Sequence, residues 1–177
     1  MELSQLHNSK LSLRALEPTD LEFLYTVEND PNVWEVSNTQ VPYSKFILKQ
    51  YLNNAHKDIY QVKQLRLVIQ HNDSKETLGF VDLFDFDPQH GRVGMGILVY
   101  GEQNKRKGYA SGAIELLKLY CFKSLNVHQV YANIGQDNLA SINLFESCGF
   151  KLAGVKKDWN KVQHSFKDEL IYQCIYE

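Results

Sequence analysis

Cysteine, proline and tryptophan are scarce: three, four and two among 177 residues. Cys121, Cys148 and Cys174 are odd in number and widely separated. They form neither a metal-ligand spacing nor a disulfide framework. Six histidines are scattered with no His-x-x-x-His pair, so no metal is expected. No apolar run approaches the roughly 18 residues that cross a bilayer. Residues 1–5 lack the basic and apolar regions of a signal peptide. The expectation is a single domain spanning residues 1–177, in a reducing cytoplasm, with no membrane partner. Positive charge is not in excess either. Nineteen Lys and Arg against 21 Asp and Glu give a net charge of −2, which excludes a general nucleic-acid footprint. Repeats, low-complexity tracts and linkers are absent. An apolar fraction of 44% is enough for a packed core.

What is present is patterned. Leu11 to Leu16 alternates as a short strand, and residues 18–27 read as a helix with Pro18 in its first turn and a Thr19/Glu22 capping box. Residues 30–32 break that helix. A second helix is expected over residues 44–54, with Phe46, Ile47, Tyr51 and Gln50 facing inward. Strands follow over residues 65–71 and 77–86, joined by a turn at 72–75, and over residues 92–99 after a turn at 87–91. A helix, a strand over 129–134, a helix over 138–148 and strands over 150–158 and 165–175 complete the order β-α-α-β-β-β-α-β-α-β-β. This order predicts a mixed sheet with helices packed on it, antiparallel in its first part.

The most informative segment is Lys105, Arg106, Lys107, Gly108, Tyr109 and Ala110, between the apolar run 97–100 and a helical pattern. Ala110, Ala113, Ile114, Leu117 and Cys121 share one helix face. Strand, basic glycine-containing turn and helix together point backbone N–H groups and a positive helix end at one spot, suited to a pyrophosphate. Gly108 lets the backbone approach such a ligand without a Cβ in the way. Downstream, Asn138, Ser141 and Phe145 are spaced three and four apart on one helix face. Asn138 or Asp137 caps its start, and Gly149 ends it in a left-handed cap.

In this order and spacing the two segments resemble the Gcn5-related N-acetyltransferase (GNAT) superfamily. Residues 105–110 match its acetyl-CoA loop, Gln/Arg-x-x-Gly-x-Gly/Ala. Residues 138–150 match its Asn-x-x-Ser/Ala-x-x-x-Tyr-x-x-x-Gly-Phe segment. Residues 11–21, 154–159 and 168–172 resemble the opening and closing elements of the branch holding spermidine and ribosomal-protein N-terminal acetyltransferases. The resemblance implies an α/β (α+β) fold. Its mixed, mostly antiparallel twisted sheet of about seven strands is flanked by about four helices, with a central parallel pair splayed to admit acetyl-CoA.

It further implies that the main chain of Ile97, Leu98 and Val99 pairs with pantetheine. One of those N–H groups faces the thioester carbonyl. Residues 105–110 hold the pyrophosphate, and Asn138 and Ser141 border the arm.

The implied activity is N-acetylation of a primary amine, a polyamine or a protein N-terminus, by direct attack in a ternary complex, without a metal. The amine must lose a proton, since an alkyl ammonium titrates near ~10 and has no lone pair. Attack geometry must be held, the oxyanion needs a donor, and the thiolate benefits from a proton.

Three departures bear on this. Lys105 stands where the motif has Gln or Arg. Phe145 stands where many members carry a Tyr thought to protonate the thiolate, so water or direct release must serve. Gly94 falls where many members carry a Glu used as base through water, leaving Asp82 and Asp85 on the preceding strand as substitutes. Trp34, Tyr43, Tyr51, Tyr172 and Glu35 are candidates for the acceptor pocket. Residues 1–60 carry eight acids against five bases, an acidic rim that would attract a cationic amine. Phe145 and Gly94 also keep open a non-catalytic acyl-CoA sensor or interaction domain. A Rossmann-type nucleotide module fits poorly, because Gly-x-Gly-x-x-Gly is missing. A homo-oligomer is compatible with all of this.

Overall fold

A computed structural model describes residues 6–37 and 39–177, without the side chains of Glu35 and Val36. The first five residues, read above for a targeting segment, and the side chain of Glu35, a pocket candidate, lie outside the described residues.

Seven strands form one sheet in the order β1-β2-β3-β4-β5-β7-β6. They are β1 (Leu11–Arg14), β2 (Leu65–His71), β3 (Thr77–Asp87), β4 (Arg92–Val99), β5 (Gln129–Gly135), β6 (Lys151–Val162) and β7 (Ser165–Ile175). Every neighbouring pair is antiparallel except β4 and β5. Their parallel pairing covers only Arg92–Gly94 against Gln129–Tyr131. Beyond Gly94 the two strands part, as the resemblance implied.

Strand alternation divides the core. Leu67, Ile69, Val81, Val93 and Met95 face α5 (Tyr109–Lys123) and α6 (Leu139–Ser147), meeting Ala113, Ile114, Leu117, Cys121 and Phe145. Val68 and Phe80, on the opposite face, pack under α1 (Leu21–Glu28), α2 (Pro31–Ser37) and α3 (Lys45–Asn53) through Leu24, Val27, Val33 and Leu48. A short α4 (Ile59–Val62) leads into β2.

Six α-helices stand among the described residues, against the four expected. The first helix ends at Glu28, before the break expected at residues 30–32, and the same residues also begin a further helix, α2. Asp30 accepts the Asn32 N–H at 2.9 Å, and Pro31 takes the first helical position, where its missing N–H does no harm. Asp58 caps α4 by accepting from the Tyr60 N–H at 2.6 Å.

The expected Thr19/Glu22 capping box is replaced by one between Glu17 and Asp20. Arg14 fixes it, donating to both Asp20 oxygens at 2.8 Å, with the Glu17 N–H also at 2.8 Å. Burial works against the Asp20 charge. The Arg14 pair and the Glu17 N–H outweigh it and hold the carboxyl below its ordinary pKa.

The inward face of α3 differs from the expectation as well. Phe46 is 68% exposed, while Leu48 is buried, with Tyr51 and Leu52 half-buried beside it. Apolar residues at 46, 47, 48, 51 and 52 offer the helix two faces. Contact with α1 and the sheet selects the second.

Candidate active site

The site is built where β4 and β5 separate. One edge of β4 is paired with β3, Val81 opposite Ile97 and Phe80 opposite Leu98. The other edge of residues 96–99 faces the gap, so its main-chain groups border open space. The chain then turns through Gly101 and a short 3-10 helix, Glu102–Asn104. Buried Asn104 secures the turn by donating to the Tyr100 carbonyl at 2.9 Å. Arg106 and Gly108 both adopt left-handed backbone, with φ of 61° and 81°.

Helix α5 begins immediately after Gly108. Its first internal bond runs from the Gly112 N–H to the Gly108 carbonyl at 3.0 Å. The N–H groups of Tyr109, Ala110 and Ser111 precede that bond and point out of the helix end. A Cβ at Gly108 would approach only the Ser111 Oγ, at 4.0 Å. The space above this backbone is open, a cradle of the shape that phosphate oxygens fill. Lys105 pairs with Glu102, and Lys105, Arg106 and Lys107 are all exposed.

Across the gap, α6 starts at Asn138, whose Oδ1 accepts the Ser141 N–H at 3.1 Å. Its end is closed by Gly149 at φ 85° and by a bond from the Phe150 N–H to the Phe145 carbonyl. Phe145 is buried, its ring edge-on to Phe150 at 4.9 Å. Burial alone pushes the neighbouring core thiol, Cys121, up to about 12. It is inert at neutral pH.

On the opposite sheet face lies a cavity of about 380 Å³, lined among others by Glu28, Tyr43, Tyr51, Arg66, Asp82 and Phe84. Asp82 sits opposite Gly96 in the β3–β4 register, beside the opening of the gap. Arg66 organises the cavity floor. Its Nε donates to Asp82 Oδ1 at 2.6 Å and its Nη2 to Oδ2 at 3.1 Å, while Nη1 pairs with Glu28. Its guanidinium also lies over the Phe80 ring, 5.2 Å from the centroid. Burial disfavours the Arg66 charge, but the two carboxylates outweigh it and hold its pKa above the ordinary value. Burial likewise raises the phenol of Tyr51.

Of the residues expected around the acceptor, Tyr43, Tyr51 and Asp82 therefore meet in one cavity. Trp34 does not line it; its Nε1 donates to the Glu28 carbonyl at 2.9 Å and ties α2 to α1. Tyr172 is buried on the other sheet face, donating to Glu146 at 3.0 Å. Asp85 sits in a β3 bulge at φ 49°, which turns it into a neighbouring cavity.

Gly94 has a structural reason. A Cβ there would fall 2.2 Å from the Phe84 ring, so the ring occupies the place of a side chain at 94. Part of the acidic rim is held in ion pairs and hydrogen bonds within the fold. Asp20 pairs with Arg14, Glu22 with Lys45 and Glu28 with Arg66, and Asp30 accepts from the Tyr100 hydroxyl.

Sequence reasoning missed Arg66 and Phe84. The signal for Arg66 was a cation two residues before Val68, on the same face of an apolar strand, opposite an acid on the next strand.

Among the described residues no group of His, Cys, Asp and Glu could hold a metal ion, and no helix is long and apolar enough to cross a membrane.

The family profile described as Acetyltransferase (GNAT) domain matches residues 10–151. A spermidine N(1)-acetyltransferase of Vibrio cholerae is 32% identical over 143 residues, 81% of this chain and 80% of that protein. The crystal structure of spermidine N-acetyltransferase from Vibrio cholerae in complex with CoA and spermine superposes with a TM-score of 0.84 at 26% identity, covering 95% and 96% of the two chains. A dodecameric structure of spermidine N-acetyltransferase from that organism, in an intermediate state, gives 0.77 at 26% identity over 95% of each chain.

Proposed function

The chain belongs to the GNAT acetyltransferase family and is an acetyl-CoA-dependent N-acetyltransferase of amines, and on that premise we propose that its acceptor is a linear polyamine. The observation that carries the choice is the Glu28–Arg66–Asp82 cluster beside the gap. Two carboxylates around one guanidinium leave a net negative charge in a partly desolvated cavity, which suits an ammonium group. The names of the similar proteins support the same reading.

Acetyl-CoA supplies the activated acetyl group. In this reading residues 105–110 and the first N–H groups of α5 hold its pyrophosphate. The open edge of Ile97, Leu98 and Val99 pairs with its pantetheine arm, bordered by Asn138 and Ser141. A main-chain N–H of that edge donates to the thioester oxygen as charge develops there. Asp82 holds the acceptor ammonium and takes its proton through water. The amine nitrogen then bonds the acetyl carbon as the carbon–sulfur bond breaks, within one ternary complex. Phe145 has no proton to give, so the leaving thiolate is met by water.

We place the activity in the cytoplasm, which three free thiols support, and in a homo-oligomer, as the dodecameric neighbour suggests.

The test is thiol release from acetyl-CoA with a panel of diamines, triamines and tetraamines and a set of peptides with free N-termini. Turnover with polyamines and none with peptides is expected. The reverse pattern moves the acceptor to a protein N-terminus.

The Phe145 assignment gives a separate expectation. Phe145→Tyr keeps or raises turnover, its added hydroxyl reaching towards the sulfur. Phe145→Ala lowers stability by about 3–5 kcal/mol through the cavity it leaves against Phe150. Loss of acetyl-CoA binding in the Tyr variant, with a harmless Ala variant, would show that the ring does not border the arm.

A further inference from the structure

The strand register places Phe84, Gly94 and Tyr131 in one row across three strands. Phe84 is opposite Gly94 on β4, and Gly94 is opposite Tyr131 on β5. This is the last row in which β4 and β5 pair; the next residue on this face of β4, Gly96, already borders the gap. Because position 94 carries no side chain, the Phe84 ring lies across it. The ring meets the Tyr131 ring edge-on, with centroids 5.8 Å apart and planes at 88°.

Phe84 lines the cavity that holds Glu28, Arg66 and Asp82. Tyr131 lines a second cavity of about 450 Å³ with Asp85, Asp87, Arg92, Gln129 and Gln173. The ring pair thus stands between two hollows on one sheet face, and both contain carboxylates. Asp85 in the second accepts from the Tyr131 hydroxyl at 3.5 Å, a long and weak bond that leaves its charge available.

We propose that Phe84 is the partition that ends the acceptor pocket and sets the length of amine the enzyme accepts. The proposal rests on the polyamine reading above and adds a residue that determines specificity within it. With the ring in place, an amine bound at Asp82 meets an apolar wall at the foot of the gap. Its chain is confined to the first cavity. Without the ring, the methylene chain of a longer amine passes over Gly94, and its next ammonium reaches Asp85 in the second cavity, where Asp87 is already paired with Arg92. The glycine makes the partition over β4 depend on the Phe84 ring, because position 94 itself carries no side chain.

Phe84→Ala tests this, measured as kcat/KM across a series of linear diamines, triamines and tetraamines at constant ionic strength. The ratio of tetraamine to diamine is expected to rise by roughly two- to fivefold, as one further exposed charge pair would give. The change in the ratio should sit mainly in the KM of the tetraamine. Phe84→Leu keeps most of the packing volume and guards against a variant that fails to fold; its ratio should shift in the same direction by less.

An unchanged ratio in variants that still gain melting temperature with acetyl-CoA overturns the partition while leaving the polyamine reading intact. A parent enzyme that acetylates none of the amine series overturns that reading and the partition with it.

Discussion

Replacing Gly108 with valine abolishes the rise in melting temperature that acetyl-CoA gives the parent enzyme. The backbone at 108 has φ of 81°, a region in which a β-branched residue is a true outlier. The glycine also opens α5, with only the Ser111 Oγ near the place of its absent Cβ. A valine there either pulls the turn out of its left-handed conformation or stands in the space the phosphates need. At a ligand concentration of about 100 Kd, binding to the native state is worth about 2.7 kcal/mol. For a chain of this size that is a rise of about 5–10 °C.

The variant itself should melt a few degrees lower, from about 1–2 kcal/mol of backbone strain. The informative quantity is therefore the increment on adding acetyl-CoA, read by differential scanning fluorimetry. Gly108→Asn, which tolerates the left-handed region, separates strain from obstruction: its own melting point should be near the parent's and its increment reduced. A full increment in the valine variant would place the pyrophosphate elsewhere.

Arg66→Met is expected to have the second large effect, on stability and turnover together. Arg66 is 23% exposed, Glu28 14% and Asp82 32%. Removing the guanidinium leaves two poorly hydrated carboxylates facing each other. Breaking a fully buried pair costs about 3–5 kcal/mol, and the water that reaches this cluster reduces the figure to about 2–4 kcal/mol. The melting temperature should fall by about 5–15 °C. Turnover of a polyamine should fall at least tenfold, because Asp82 loses the two bonds that aim it at the gap.

The combined variant Arg66→Met, Glu28→Gln, Asp82→Asn distinguishes the causes. Stability should largely return, since the unpaired charges are gone, while activity should stay lost. Recovery of activity in the combined variant would remove Asp82 from the chemistry. An Arg66→Met variant as stable as the parent would show that the cluster is solvated.

Much of what precedes the site was legible in order along the chain. The bounds expected for β2, β4 and β7 are those observed. Asn138 caps α6 and Gly149 ends it, as read from their spacing. These features depend on residues within a few positions of one another: alternation, a capping side chain, a glycine where φ must be positive. The cradle after β4 belongs with them, since strand, turn and helix are consecutive.

The acceptor side was not legible in the same way. Arg66 meets Glu28, 38 residues before it, and Asp82, 16 after it. Phe84 covers a glycine on a different strand and reaches a tyrosine on a third. The face that α3 buries and the place of β7 between β5 and β6 are of the same kind.

The sequence by itself determined the seven strands, the four longer helices and the glycine turn that opens α5, because each is a short-range consequence of backbone geometry and local hydrogen bonding. Only the tertiary structure decided how far β4 and β5 pair before they part, which carboxylates share one guanidinium, and which ring lies over Gly94. Those depend on strand pairing between distant segments, where many arrangements satisfy the local pattern and packing of the whole core selects one.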